Sequence, residues 1–210
     1  MRLYVARHAE CGKNLIGIPG GMGNSLTNRG IEQARDLAQY FAEANILAGA
    51  VGVCPPIQAR ETGEIIATRL GLPVEQRDEL CSINLGVLTG IPISEARQLY
   101  PASSASMDLW RKGEIELSAV KIEGMEDPTK FFIRGLRYVL NVMQIKKEDL
   151  IVATTSIMIL FENMHQMRGP APGEGYVVRE YDNAAVLVLD FSSAHKDWLL
   201  NQVNKYRVVL

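Results

Sequence analysis

The chain has 210 residues, of which 47% are hydrophobic and 22% charged, so it is long enough to bury a sizeable core without disulfides or metal ions. Its 22 lysines and arginines and 24 acidic residues give a net charge of −2 with no long run of either sign, which excludes a broad basic face for nucleic acid. The sequence has neither a secretory signal nor the roughly eighteen consecutive apolar residues of a membrane helix, and we expect no contact with a membrane.

Strand-like and helix-like patterns alternate from the first residue to about residue 165, which is typical of an α/β fold with a mostly parallel sheet. The continuous apolar run Leu3–Ala6 predicts a first strand that is covered on both faces. After a glycine-rich loop, Ile18–Asn24, Thr27 is positioned to cap a helix. A second strand is predicted at Ala50–Val53, and the helix that follows Pro55-Pro56 is expected to end at Gly71.

The pattern weakens between about residues 78 and 125, which indicates an excursion from the sheet. Within it we expect a short helix near Ser94–Leu99 and a serine-rich stretch, residues 102–106. Asp127 and Pro128 then predict the start of a long helix. Leu150–Ala153 predicts a third buried strand, which leads directly into another helix.

The carboxyl-terminal part of the chain has the pattern of strands. Val177–Tyr181 and Ala184–Phe191 predict a hairpin, and the last fifteen residues are expected to add an edge element. Because no repeat, linker or low-complexity tract divides the sequence, we expect one domain over residues 1–210. The fold class predicted from these elements is a three-layer α/β sandwich, with a mostly parallel central sheet flanked by helices.

In an open α/β sheet, ligands bind beyond the carboxyl ends of the strands, so the residues that directly follow each apolar run are the site candidates. Arg7 and His8 leave the first strand, and an imidazole beside a guanidinium predicts a nucleophile next to a phosphate-binding group. Thr154, Thr155 and Ser156 follow the third strand at the start of a helix. Three hydroxyls and free backbone N–H groups suit an anion there; the alternative is that one hydroxyl caps the helix and the others have no role.

Five short segments, spread over nearly the whole chain, carry a common pattern. They are Arg7-His8-Ala9-Glu10 with Asn14, Ser25 to Ala34, Pro55 to Thr62, Leu80 to Gly90, and Ile151 to Ser156. In order and spacing these segments resemble the histidine phosphatase superfamily, the phosphoglycerate-mutase-like proteins. The resemblance implies the fold of that family, with His8 as the residue that accepts a phosphoryl group and with Arg7 and Asn14 as phosphate contacts.

The same resemblance exposes three departures, all at residues that do chemistry. Gln58 stands where the family has a second phosphate-binding arginine, Ser82 where it has an acid, and Thr155 where it has a second histidine. In the family these groups stabilise the charge of the phosphoryl group and protonate the leaving oxygen. A lost charge-stabilising donor costs about 2.7–4 kcal/mol of barrier and a lost general acid roughly 10²–10⁴ in rate, without additivity. The resemblance therefore implies a degenerate member that is slow at best.

Other side chains are candidates for the missing groups. Arg60 lies just beyond Gln58 but would need a local rearrangement, because two residues along a helix correspond to a turn of about 200°. Glu10 and Glu79 are candidate acids, and the alternative for each is an exposed surface carboxylate. His165 is near the far end of a predicted helix, and we expect it outside the site.

The cysteines bear on location and metal binding. Cys11, Cys54 and Cys81 are an odd set without a CxxC pair, which indicates reduced thiols and a cytoplasmic protein. All three belong to segments near His8, but their spacing matches no standard metal site, and a free cysteine is usually a small buried apolar residue. We therefore expect no metal and no cofactor.

Two functions remain open at this point. The first is a catalytically impaired protein, a pseudoenzyme, that binds a phosphorylated small molecule or phosphate-like anion, or instead a protein partner or a second copy of itself. The second is an active phosphomonoester phosphatase in which His8 accepts the phosphoryl group. In both, Arg7 acts with His8, and the expected substrate contacts are Asn14, Gln58, Arg60, Ser82, Thr154, Thr155 and Ser156.

Overall fold

The computed structural model describes residues 1–145 and 147–209, and its centre is a five-stranded sheet. The strands are β1 (Arg2–Arg7), β2 (Val51–Val53), β3 (Val74–Gln76), β4 (Glu148–Ala153) and β5 (Val186–Asp190), in the order β3-β2-β4-β1-β5. β1 pairs in parallel with β4, β4 with β2, and β2 with β3, whereas β5 runs antiparallel to β1. This mostly parallel sheet confirms the predicted α/β class.

The described residues also form eight α-helices. They are α1 (Gly12–Leu15), α2 (Asn28–Glu43), α3 (Ile57–Leu70), α4 (Ile93–Leu99), α5 (Pro101–Arg111), α6 (Pro128–Ile145), α7 (Thr155–His165) and α8 (Ser193–Tyr206), with single 3-10 turns at Asp78–Leu80, Gly86–Leu88 and Leu117–Ala119. None of these helices has both the length and the apolar character needed to span a bilayer.

Both faces of the central strands are covered. Leu3, Tyr4, Val5 and Ala6 of β1 are all buried, although successive side chains of a strand point to opposite faces. The helices form two packed groups, because α2 contacts α3 while α6 contacts α7 and α8. Helices therefore flank the sheet on two sides, which is the predicted three-layer arrangement.

The predicted helix ends have the expected causes. The Oγ1 atom of Thr27 accepts a hydrogen bond from the Gly30 N–H at 3.0 Å, which satisfies a free donor in the first turn of α2. Gly71 ends α3 in the left-handed conformation, with φ of +67°. The Asp127 carboxylate accepts from the Lys130 N–H at 3.0 Å at the start of α6.

The predicted hairpin is wrong, because Val177–Tyr181 forms no strand. The Asn163 side chain of α7 accepts from the Val177 N–H at 3.1 Å and donates to the Val177 carbonyl at 2.8 Å, so a side chain occupies the backbone groups that a strand would pair. The second half of the hairpin contains β5, which pairs with β1 instead.

One further expectation is wrong, and two elements were not predicted. The last fifteen residues add no edge element over the described residues, because α8 begins at a Ser192 cap and continues to Tyr206; Leu210 lies outside the described residues. The serine-rich stretch is part of α5, where the hydroxyls of Ser103 and Ser106 accept from backbone N–H groups of a neighbouring segment. Sequence patterns missed β3, whose three residues are all exposed.

Gly30 sets how closely α2 approaches the segment that follows β1. A Cβ atom at this position would overlap the Glu10 carbonyl oxygen, which is backbone and has no rotamer with which to move away. We expect Gly30→Ala to lower the free energy of unfolding by about 1–3 kcal/mol, the usual cost of overpacking. Gly49→Ala is the matched control, because a Cβ atom there meets nothing within 4 Å, and we expect a change within about 0.5 kcal/mol. Urea unfolding of both variants checks this; equal effects would contradict it.

Candidate functional site

A cleft of about 460 Å³ opens at the carboxyl ends of β1 and β4. Eight of the nine residues predicted to form the site line it: Arg7, His8, Asn14, Gln58, Ser82, Thr154, Thr155 and Ser156. The ninth, Arg60, does not. The parallel pairing of the two strands brings these residues together, because Arg7 and Ala153 are register partners at the last position of the ladder.

His8 is fixed at the floor of the cleft. Only 3% of the residue's surface is exposed, and its backbone N–H donates to the Ala153 carbonyl at 2.9 Å. The Nδ1 atom lies 2.8 Å from the Ala9 carbonyl oxygen, which can only accept, so Nδ1 carries the proton. Burial, with a smaller contribution from the positive charges of Arg7 and Lys13, lowers the pKa of His8 to about 4. At neutral pH the imidazole is therefore uncharged, and Nε2 keeps its lone pair.

Two cations lie within electrostatic reach of this imidazole. The Arg7 guanidinium is half-buried and donates through Nη1 to the Tyr181 carbonyl, while its buried Nε has no hydrogen-bond partner among the described residues. The Lys13 ammonium donates to the Gly20 carbonyl at 2.6 Å. Burial lowers the pKa of both groups. Sequence reasoning missed Lys13, although its position directly before Asn14 in the first turn after His8 was the available signal.

Asn14 is oriented by the turn that follows β1. Its Oδ1 atom accepts from the Cys11 N–H at 3.0 Å and from the Asn183 amide at 3.2 Å. The same Asn183 amide donates to the His8 carbonyl at 3.2 Å, so it ties the two segments together. With Oδ1 engaged in this way, the NH₂ of Asn14 is the part of the side chain that remains for a ligand.

A chain of hydroxyls forms another part of the lining. Ser82 Oγ donates to Thr154 Oγ1 at 2.9 Å. Thr154 Oγ1 lies 3.3 Å from Ser156 Oγ. Ser156 Oγ in turn accepts a hydrogen bond from the Ile83 N–H at 3.3 Å. Two of the three hydroxyls at the strand-to-helix turn thus hold the segment of Ser82 in place. Thr154 makes no side-chain cap bond to α7, and Thr155 lines the cleft at the positive end of that helix.

Gln58 is fully buried at the start of α3, and neither its Oε1 nor its Nε2 has a hydrogen-bond partner among the described residues. Gly23 of the glycine-rich loop covers this amide, and it can approach so closely because it has no Cβ and a φ of +76°. Buried polar groups without a partner are rare in folded proteins, so the environment of this amide is unusual.

The candidate replacement groups lie elsewhere. Arg60 is exposed, pairs with Glu64 at 3.7 Å and does not line the cleft, so the structure does not bring it together with the other predicted substrate contacts. The Glu10 carboxylate accepts from the Thr27 hydroxyl at 2.8 Å and does not line the cleft. Glu79 is exposed and also lies outside the lining.

His165 and the cysteines have other surroundings. His165 stacks on His195 with ring centroids 4.6 Å apart, at the end of α7 far from the cleft. Cys11 and Cys54 are buried and Cys81 is half-buried. Across residues 1–145 and 147–209, no group of three or more His, Cys, Asp and Glu side chains could hold a metal ion.

Part of the lining was not foreseen from the sequence. It comes from the excursion and from the loop after α7, and it comprises Ile93, Met107, Trp110, Arg111, Val178, Arg179, Glu180, Tyr181, Asp182 and Asn183. Tertiary packing brings these residues to the sheet edge, and no local pattern marks them. The residues from the loop after α7 were not considered as site residues because Val177–Tyr181 was predicted to be a strand.

Comparison with known proteins gives a consistent set of matches. The family model of the histidine phosphatase superfamily (branch 1) matches residues 3–204. Human 6-phosphofructo-2-kinase/fructose-2,6-bisphosphatase 4 and bovine 6-phosphofructo-2-kinase/fructose-2,6-bisphosphatase 1 are each 28% identical over 156 residues, which are 74% of this chain and 31% of each relative. The chain thus spans about a third of the length of the curated relatives that it matches.

Solved structures share the fold at low sequence identity. Mycobacterial glucosyl-3-phosphoglycerate phosphatase, in complex with VO3, has a TM-score of 0.76 at 18% identity and covers 90% of this chain and 92% of its own. Alpha-ribazole phosphatase from Shigella flexneri has a TM-score of 0.72 at 23% identity, with 91% of each chain covered.

The lowered pKa of His8 predicts a pH-dependent stability. The unfolded chain binds a proton near pH 6.5, whereas the folded protein binds it only near pH 4, so the free energy of unfolding falls as the pH drops through this window. At about 1.4 kcal/mol per pKa unit, the full loss is about 3 kcal/mol. His8→Gln removes this contribution, and urea unfolding at pH 7 and pH 4.5 should show a smaller loss for the variant. Equal losses in the two proteins would contradict the assignment.

Proposed function

The chain belongs to the histidine phosphatase superfamily, and from this premise we propose that it binds a phosphorylated small molecule at His8 but transfers the phosphoryl group slowly or not at all. One observation carries the proposal: a buried, neutral His8 lies beside Arg7 in a cleft whose three other expected catalytic positions hold the uncharged residues Gln58, Ser82 and Thr155. Compared with the family pattern, the cleft retains the nucleophile but lacks most of the charged groups around it.

Binding of an anion is supported by groups of different kinds. Arg7 and Lys13 supply positive charge, the NH₂ of Asn14 is a neutral donor, and α7 directs its positive end to Thr155. Among similar structures, mycobacterial glucosyl-3-phosphoglycerate phosphatase is known in complex with inorganic phosphate.

Slow chemistry follows from the same residues. Attack of the His8 Nε2 atom on phosphorus breaks the P–O ester bond, and the leaving oxygen then needs a proton. A serine hydroxyl is a very weak acid, so Ser82 cannot replace a carboxylic acid in this role. Gln58 and Thr155 carry no charge to offset that of the transition state, which costs several kcal/mol of stabilisation, about 2.7–4 for each donor lost.

A slow phosphatase of altered mechanism is the second candidate. It is favoured by the Nδ1–H to Ala9 hydrogen bond, which leaves Nε2 of His8 ready as a nucleophile, and by two carboxylates, Glu180 and Asp182, in the lining. Turnover of a phosphomonoester panel that is abolished by His8→Ala would support this candidate. No turnover combined with phosphate binding would support the first.

Two broader proposals accompany the function. We propose that residues 1–210 act as one domain, which is supported by a single core cluster that connects residues from Leu3 to Leu199. We also propose a cytoplasmic location, which is supported by three free cysteines, Cys11, Cys54 and Cys81, since free thiols persist in reducing compartments.

Inorganic phosphate should bind weakly, because among the described residues Arg7 and Lys13 are the two cations that act on His8. We expect isothermal titration to give a Kd between about 10 µM and 10 mM, and Arg7→Gln to weaken binding by about tenfold or more. Arg60→Gln is the matched control, since Arg60 is exposed and outside the cleft, and we expect it to leave the Kd unchanged. Sub-micromolar binding, or equal losses in the two variants, would contradict the proposal.

Restoring the three missing groups should restore turnover. We expect the triple variant Gln58→Arg, Ser82→Glu and Thr155→His to hydrolyse 4-nitrophenyl phosphate, and each single variant to remain inactive, because the groups act as a unit on one transition state. Ser82→Glu should be the least stable single variant, since it breaks the bond to Thr154 and adds an unpaired carboxylate.

Initial rates and thermal melts of the singles and the triple check this prediction, with His8→Ala in the triple background as the control for contaminating activity. A folded triple variant without turnover dependent on His8 would show that the shape of the cleft, and not only its charge, has changed. The proposal would then shift from a phosphorylated ligand to a protein partner or a second copy of the chain.

A further inference from the structure

The cleft is larger and more apolar than a phosphate group alone requires. Its volume of about 460 Å³ is in the range of small-molecule sites, which is roughly 300–1,000 Å³. Apolar side chains from four different parts of the chain line it: Ile18, Ile83, Leu85, Ile93, Met107, Trp110, Ile159 and Val178. A ligand that fills this space therefore meets apolar side chains over part of its surface.

α5 contributes the largest apolar groups of this wall. Trp110 has an exposure of only 5%, and the half-buried Met107 lies one turn before it on the same side of the helix. Leu109, between them, is exposed and does not line the cleft. The helix thus directs one apolar face into the cleft and a different residue to solvent, which provides a matched pair for comparison.

Two arginines at the mouth of the cleft have carboxylate partners. Exposed Arg111 pairs with Glu180 at 3.6 Å, and exposed Arg179 pairs with Glu162 at 3.2 Å. Within the described part of the chain, the lining cations without a carboxylate partner are Arg7 and Lys13, both near His8. The lining therefore has one positively charged region, which suits one phosphate group.

We infer that the ligand is a phosphomonoester with an aromatic or similarly apolar organic part and no second acidic group. The inference rests on the proposed function, because the phosphate end is the one that His8 and Arg7 receive. Where a sugar or polyol phosphate placed its hydroxyl groups against Met107 and Ile93, these side chains would offer them no hydrogen-bond partner, and this is unfavourable. A second carboxylate or phosphate would meet arginines that already have acidic partners.

Isothermal titration with three probes tests the inference: inorganic phosphate, glycerol 1-phosphate and 1-naphthyl phosphate. We expect 1-naphthyl phosphate to bind at least about tenfold more tightly than glycerol 1-phosphate, a difference of about 1.4 kcal/mol. The titrations are repeated on His8→Asn, which cannot form a phosphohistidine, so that turnover does not distort the comparison.

Two variants of α5 test where the preference originates. We expect Met107→Gln, which keeps the size and adds polarity, and Trp110→Ala to reduce the preference to less than about threefold while the Kd of inorganic phosphate stays the same. Met107→Gln keeps the test valid if loss of the buried indole unfolds the chain. Leu109→Gln on the solvent side should leave the preference intact.

The outcomes separate this inference from the proposed function. Phosphate binding without a preference for 1-naphthyl phosphate overturns the inference and leaves the proposed function standing. No binding of any phosphate probe overturns both. Tight binding of 1-naphthol that inorganic phosphate does not weaken also overturns the inference, because the apolar site would then be separate from the phosphate site.

Discussion

The parallel pairing of β1 with β4 is the constraint on which the site depends. Parallel neighbours end at the same edge of a sheet, and the hydrogen bond from the His8 N–H to the Ala153 carbonyl extends the ladder one residue beyond β1. This backbone bond alone, without any side-chain contact, holds His8 and the turn Thr154–Ser156 at the same edge of the sheet. The contact of α2 with the Glu10 carbonyl then fixes the direction in which the chain leaves that edge.

The electrostatics of the cleft combine a retained imidazole with a reduced set of charges. Desolvation keeps His8 neutral, and it acts in the same direction on Arg7 and Lys13, whose pKa values it lowers. Gln58 adds a buried amide that has no hydrogen-bond partner in the described part of the chain, where an arginine would add both charge and hydrogen bonds. The geometry of an anion site thus persists, while its capacity to stabilise a developing charge is small.

Much of the fold could be predicted because its signals are local. The continuous apolar runs of β1 and β4 correctly indicate strands that are buried on both faces. His8 and Thr154, which directly follow these strands, both line the cleft, as expected from their position. β3 gave no such signal, since its residues are exposed. The loop after Val177 depends on the side chain of Asn163, which is distant in sequence. Trp110 reaches the site only through the packing of α5.

The bond between Lys13 and the Gly20 carbonyl has a consequence for the glycine-rich loop. This loop is also joined to α3, through the Ile57 N–H to Met22 carbonyl bond, and to α4, through the Ile93 N–H to Gly17 carbonyl bond. A segment with several glycines loses much conformational entropy when it becomes ordered. Because these hydrogen bonds already order the loop in the folded chain, that entropy is lost during folding and not when a ligand binds. An ammonium has three hydrogens to donate, so Lys13 can retain the loop while it receives an anion. These bonds hold the loop in place over Gln58 in the chain as it is folded here.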